Sequence, residues 1–342
     1  MSNLEKSSSM VELVETGGGG EGGGVVSTGS TSAAVELLEP REVPLGGPRA
    51  MTVRRTLPQK RRSLIGAWCF VDSYGPDPVH GRGAMNVPPH PHTGLQTVSW
   101  LYAGEIEHRD SAGSFALVEP GAVNLMTAGA GIQHSEVSTD ATTSLHGVQL
   151  WIALPDASRN VSPFFEHFEP TPITHDDATL RVFVGELLGQ SSPVTAFTRL
   201  LGVQLDLPAG GRVTIPVDPA FEHGLLVDAG SPTFQGVQVP TAQLAFVRAG
   251  VAELTVEAGS SPLRALLIGG EPLGERILMW WNFVGRTHDE VVAFREQWQS
   301  DVIDETNLSG RFGHVDGYEV DGHPGRALPA PELPNVRLRP RD

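Results

Sequence analysis

The segment PPHPHTGLQTVSW, residues 88–100, places His90 and His92 two positions apart at the head of an apolar run. On a β-strand, residues i and i+2 share a face about 6.7 Å apart along the chain, so the two imidazoles can converge on a point between them. Pro91 points the other way, and its missing N–H fits the first residues or the edge of a sheet. GIQHSEVS repeats the device with His134 and Glu136. Two strands of one small barrel, each turning two ligand-type side chains inward, make a site of three imidazoles and one carboxylate. That donor set suits Fe, Mn, Co, Ni, Cu or Zn, and four ligands leave octahedral positions open for water, substrate or O₂.

Such pairs need strands to carry them, and the surrounding sequence supplies strands. Forty glycines and 27 prolines punctuate the 342 residues, which favours short strands and tight turns over long helices. The expected fold is all-β, with two β-barrel domains and short helices near the C-terminus. Residues 1–32, glycine-rich and almost free of large apolar side chains, read as a disordered tail. Residues 33–165 form the metal-binding domain, 166–325 a second domain of similar rhythm, and 326–342 a C-terminal tail. The stretch 154–180, with four prolines and no period, reads as the interdomain connection. One helix is signalled in RTHDEVVAFREQWQ, where Thr287 and Glu290 fit a capping box and Val291, Phe294 and Trp298 make an apolar stripe. No H-x-H or H-x-E pair occurs in the second domain. His175, His223, His288, His314 and His323 each lack such a companion, so a domain without metal is expected there.

The net charge of −16 repels phosphate backbones and argues against direct nucleic-acid binding. The basic run Arg54, Arg55, Lys60, Arg61 and Arg62 reads as a solvated strand face and turn. Cys69, alone and in an apolar run, reads as a buried, inert thiol. No stretch approaches the ~20 apolar residues of a membrane span, and no basic-then-apolar leader opens the chain, so a cytoplasmic protein is expected. Tyr74 and Trp100 read as core residues and Ser135 points away from the site. His146 is expected to satisfy backbone groups, and His108 and Asp110 to form a structural turn, with tuning of the metal as the other reading. Glu222 and His223, being adjacent, face opposite sides of a strand and cannot chelate together.

The segments VRRTLPQKRRSLIGAWCFVDSYGP, HPHTGLQTVSWLYAGEIEHRDSAG, EPGAVNLMTAGAGIQHSE, HGVQLWIALP and GGEPLGERILMWWNFVGRTHDEV together resemble the pirins, a branch of the two-domain cupins. The resemblance runs through most of residues 40–315. It implies a bicupin with one iron-type site in the first domain, most simply Fe(II), with His90, His92, His134 and Glu136 as ligands. Four positions depart from the usual pattern. The family reads H-P-H-R-G-F-E where this chain has Thr93, Leu95 and Gln96, and it carries Arg where this chain has Ala130. Two positive charges and one carboxylate near the site are therefore expected to be missing.

Two functions follow from the resemblance. One is a metal-dependent dioxygenase, like quercetin 2,3-dioxygenase, on a small aromatic substrate of the flavonol type, with Glu136 as the nearby base. The other is a non-enzymatic, metal-containing regulator acting through a protein partner. The sequence leaves the oligomeric state open.

Overall fold

The computed structural model describes residues 34–44, 51–78, 85–320 and 322–341. The tail expected over residues 1–32 lies outside them. The first barrel is built from β2 (Arg41–Pro44), β3 (Thr52–Leu57), β4 (Trp68–Pro78), β5 (Asn86–His92), β6 (Leu95–Ala103), β7 (Ile106–Asp110), β8 (Phe115–Val118), β9 (Val123–Thr127), β10 (Ile132–Ser138), β11 (Ser144–Ala153) and β12 (Phe164–Phe168). Its large sheet runs β12-β9-β6-β11-β4-β3-β2 and its small one β5-β10-β7-β8. All pairs are antiparallel. Part of the stretch expected to be a connection is thus the edge strand β12.

The second barrel repeats the plan. Its large sheet runs Leu244–Val247, Glu222–Ala229, Leu263–Gly270, Leu200–Leu207, Ala178–Leu187, Ile173–His175, and its small sheet Arg212–Pro216, Glu253–Glu257, Thr233–Phe234, Val237–Gln238. The strand missing at the head of the large sheet comes from the other end of the chain. β1 (Val35–Leu38) pairs with Leu244–Val247, although the sequence groups it with the first domain. Arg62 fastens this crossing: its guanidinium donates to Glu36 and lies 3.4 Å from the centroid of the Phe246 ring.

The two large sheets pack face to face through one apolar core. Val98, Trp100, Leu125 and Leu150 of the first meet Phe183, Leu226, Phe246 and Ile268 of the second. Trp100 stacks on Phe183 at 4.7 Å, and its indole N–H donates to Gln204 at 2.8 Å. Each such side chain contributes about 1.5–3 kcal/mol by leaving water, so the barrels are held together as one body.

After Leu263–Gly270 the chain leaves the second barrel and returns to the first. A hairpin, Leu278–Trp280 and Phe283–Gly285, precedes α1 (His288–Trp298), whose capping box is formed as the sequence predicts, Thr287 accepting from Glu290 N–H. Val291 and Trp298 are its buried residues, and they share a cluster with Phe283, Phe312, Ala330 and Leu338. The segment expected as a tail from 326 therefore contributes to packing. Hydrogen bonds tie this region to the first barrel, from Val284 N to Thr93 O, Leu328 N to Pro89 O, and Tyr318 Oη to Asn86 Oδ1.

Two smaller expectations change. Arg55 is buried and donates from Nε and Nη2 to the two carboxylate oxygens of Asp72, each at 2.7 Å, so the basic run is partly an internal ion pair rather than a solvated face. His146 meets a side chain of the other domain, Asp228, at 2.6 Å. Cys69 is fully buried, and burial pushes its thiol well above the ordinary range. Among the described residues no helix is long and apolar enough to cross a membrane.

Candidate metal centre

β5 is the edge of its sheet, which accommodates the N–H-less Pro88, Pro89 and Pro91. It pairs with β10 so that His90 lies opposite His134 and His92 opposite Ile132. The strand stops at Thr93-Gly94. Gly94 has φ +69°, and a Cβ there would come 2.3 Å from Val284 O, so only glycine lets the C-terminal hairpin close over this turn.

The alternation of β5 and β10 brings three rings together, with centroids 5.0 Å apart for His90–His92, 4.4 Å for His90–His134 and 5.0 Å for His92–His134. All three are buried. Burial lowers each ring's proton affinity, that of His90 to about 4, with neighbouring rings adding to the effect in His92 and His134. They are therefore neutral at pH 7, and hydrogen bonds set the tautomers of His90 and His134. Pro88 O can only accept, so Nδ1 of His90, 2.9 Å away, donates and leaves Nε2 with a free lone pair. Asp110 Oδ2 accepts from His108 Nε2 at 3.1 Å, which places His108 Nδ1 to accept from His134 Nδ1, 3.3 Å away. The Nε2 lone pair of His134 is thereby turned toward His92 Nε2 at 3.1 Å. His92, whose Nδ1 has no hydrogen-bond partner, can donate from Nε2 to that lone pair, and with its proton on Nδ1 it offers Nε2 as a further ligand. The donor set fits a transition metal on this observation.

Glu136 arrives differently. A bulge between His134 and Glu136 shifts the register of β10 against β5, so Glu136 lies opposite Val87 and, on the other side, opposite His108. Ligand atoms within 4.8 Å of one another form two groups among the described residues, His90/His92/His134 and His108/His134/Glu136. Burial pushes the Glu136 carboxyl up, and the His108 ring and the Ser99 hydroxyl act in the opposite direction. The pocket is nearly closed, His90 and Glu136 each being 7% exposed. Trp151 stands edge-on to His92 at 5.2 Å and Phe165 stacks on His108 at 4.6 Å.

His108 is the residue whose role the sequence expectation understates. It lies within strand β7 rather than in a turn, fully buried. The turn follows it, held by Asp110 Oδ1, which accepts from the N–H groups of Ala112 and Ser114. Burial pushes the Asp110 carboxyl up, but His108 and the Ser114 N–H outweigh it and hold the group below its ordinary range. The signal was the same i, i+2 spacing, here H-x-D.

The departures at Thr93, Gln96 and Ala130 also look different in place. Gln96 shares its face of β6 with Val98 and Trp100, the face turned to the second domain. Its amide donates to Thr127 Oγ1 and to Thr195 O, both at 2.9 Å. The inner face carries Leu95, Thr97 and Ser99, so the substitution takes no carboxylate out of the metal pocket. Thr93 is buried beneath the hairpin, its carbonyl accepting from Val284 N–H. At Ala130 a guanidinium still arrives, from another part of the chain: Arg311 Nη1 donates to Ala130 O at 2.6 Å.

The Pirin family model matches residues 50–152 and the Pirin C-terminal cupin domain matches residues 202–303. A Pseudomonas aeruginosa protein named provisionally as quercetin 2,3-dioxygenase PA1205 is 38% identical over 88% of this chain and 91% of its own length. A pirin-like protein of Caulobacter vibrioides is 34% identical, covering 72% of this chain and 88% of its own. The crystal structure of quercetin 2,3-dioxygenase from Acinetobacter baumannii superposes with a TM-score of 0.80 at 39% identity, covering 89% of this chain and 97% of that one. A barrel that gathers histidines joined to a barrel that gathers none, both matched in order by the two domain models, make this chain a member of the pirin family.

Proposed function

We propose that the first barrel binds one divalent transition metal, most simply Fe(II), through His90, His92, His134 and Glu136, and that the protein is a dioxygenase acting on a flavonol-type substrate. The observation that carries this reading is the convergence of three buried imidazoles in a closed pocket, with the Nε2 atoms of His92 and His134 3.1 Å apart. The provisional name of the Pseudomonas relative and the name of the Acinetobacter protein support the substrate class.

Bound there, the metal supplies Lewis acidity toward a phenolate or enolate oxygen and redox chemistry toward O₂. The chain's own residues do the rest. The Asp110–His108–His134 chain and the Pro88 carbonyl hold His134 and His90 in the tautomer that offers Nε2. Leu95, Met126, Ile132 and Trp151 form an apolar wall beside the site and exclude water. Phe165, half-buried on His108, offers a flat aromatic face to a flat substrate. Glu136, the carboxylate of the cluster, takes the proton that the substrate hydroxyl loses, held at an oxygen that burial makes more basic. Gln96 plays no part in this step, because it faces the other domain.

Oxygen uptake with a panel of flavonols, on protein of verified iron content, tests the reading. Glu136→Gln is expected to lower turnover about 100-fold or more while keeping most of the metal. No uptake above that of free iron across the panel would leave the non-enzymatic regulator acting on a protein partner.

A further inference from the structure

The mouth of the second barrel holds a cavity of about 680 Å³, within the range of small-molecule sites at about 300–1,000 Å³. Leu187, Val194, Leu200, Leu201 and Phe221 give it apolar walls, and the loop between Leu187 and Leu200 forms one side. His223 lines it and is 0% exposed, yet neither ring nitrogen has a hydrogen-bond partner. The hydroxyl of Thr198, on the same lining, is also buried and unpartnered.

Buried polar groups in folded proteins are almost always satisfied, so two unsatisfied side chains on one cavity need an explanation. Packing does not provide one. The next inward positions of the His223 strand are Leu225 and Val227, part of an apolar core in which an aliphatic residue would serve better than an imidazole. Burial lowers the proton affinity of His223 to about 4, against a smaller opposite pull from Asp218, so the ring is neutral at pH 7. It then offers one donor and one acceptor. Arg199, the arginine on the cavity wall, is engaged by Asp218 and Glu271 and has no charge to spare for an anion.

We propose that this cavity is a second ligand site, separate from the metal centre, for a small neutral molecule with an apolar body and one hydroxyl group, of which a simple phenol is the type. The hydroxyl meets His223 and the body lies against Leu201 and Phe221. The loop that lines the cavity is also the loop held by the first barrel. Gln96 donates to Thr195 O, and the Glu166 carboxylate accepts from both Thr195 N–H and its hydroxyl. A ligand in the second barrel therefore presses on a segment anchored to β6 and β12.

The probe is 4-fluorophenol, followed by ¹⁹F NMR on the full-length, metal-loaded protein. One saturable site is expected that survives in His92→Ala protein stripped of metal, which separates it from any phenol bound at the metal centre. His223→Phe should weaken it at least about tenfold without changing metal content. Because that change removes unpartnered polar atoms, the fold should tolerate it. Ser191→Trp, at the exposed rim of the cavity, should block the site by bulk alone. Fluorobenzene, lacking the hydroxyl, should bind at least about tenfold more weakly than 4-fluorophenol. The proposal is overturned by the absence of saturable binding, the two side chains then holding a buried water only. Binding that disappears with the metal, or that His223→Phe and Ser191→Trp leave unchanged, overturns it as well.

Discussion

In the first barrel the paired strands β5 and β10 face inward with His90, His92, His134 and Glu136, and β7 adds His108. The corresponding strands of the second barrel, Arg212–Pro216, Glu253–Glu257 and Thr233–Phe234, turn inward Val213, Ile215, Leu254, Val256 and Phe234. The sheet order is the same in both. One scaffold thus accommodates either filling, but the two fillings make different demands. Aliphatic side chains need only to pack. Imidazoles in the same places need a carbonyl, a carboxylate and a further histidine to set their tautomers, and β5, β7 and the turn after Asp110 supply these. At the mouth of the second barrel His223 interrupts the apolar pattern of its strand and stands without partners.

The largest expected effect removes the asymmetry at its source. His92→Ala should strip nearly all bound metal, where elemental analysis of the wild type should find about one ion per chain. A wild-type ratio near two would place an ion in a barrel whose inward strands are apolar, and the comparison would fail.

The next tests what the barrels share. Trp100→Ala, in the core between the large sheets, should cost about 3–5 kcal/mol. The wild type should unfold in urea in a single transition, because neither apolar sheet face is stable uncovered. Two separated transitions would mean that the common core does not couple the barrels.

Smaller in size is the effect of the support behind the ligands. Asp110→Asn should weaken metal binding about 10–100-fold by loosening the His108–His134 chain, measured by competition with a chelator. An unchanged affinity would show that His134 is oriented by packing alone.

The smallest effect belongs to the second barrel. The folded-state value of His223 lies near 4, below the ordinary value of about 6.5, so the unfolded chain takes up a proton first as the pH falls. Stability present above pH 6.5 is then lost toward pH 4, at up to about 1.4 kcal/mol per pH unit. His223→Phe should flatten this part of the curve, seen as a smaller drop in urea midpoint between pH 7 and pH 5. Parallel curves for the two proteins would mean that the ring has a partner in solution.

Much of the candidate metal centre is legible in the order of residues, because the backbone of a strand fixes which side chains share a face. H-x-H and H-x-E are statements about one face of one strand, and Pro91 marks that strand as an edge. The capped helix after Thr287 is local in the same way. What a face meets is another matter. Gln96 follows His92 by only four positions, yet the choice between barrel interior and interdomain core was made by Val98 and Trp100, which bury themselves against Phe183 and its neighbours. His146 finds Asp228 and β1 finds Leu244–Val247, partners far away in sequence, because two apolar sheets had to cover each other. His108 becomes the support of His134 only through the pairing of β7 with β10. Spacing along a strand put the candidate ligands on one face. Only the burial of one sheet against another, a non-local and non-directional force, decided their surroundings.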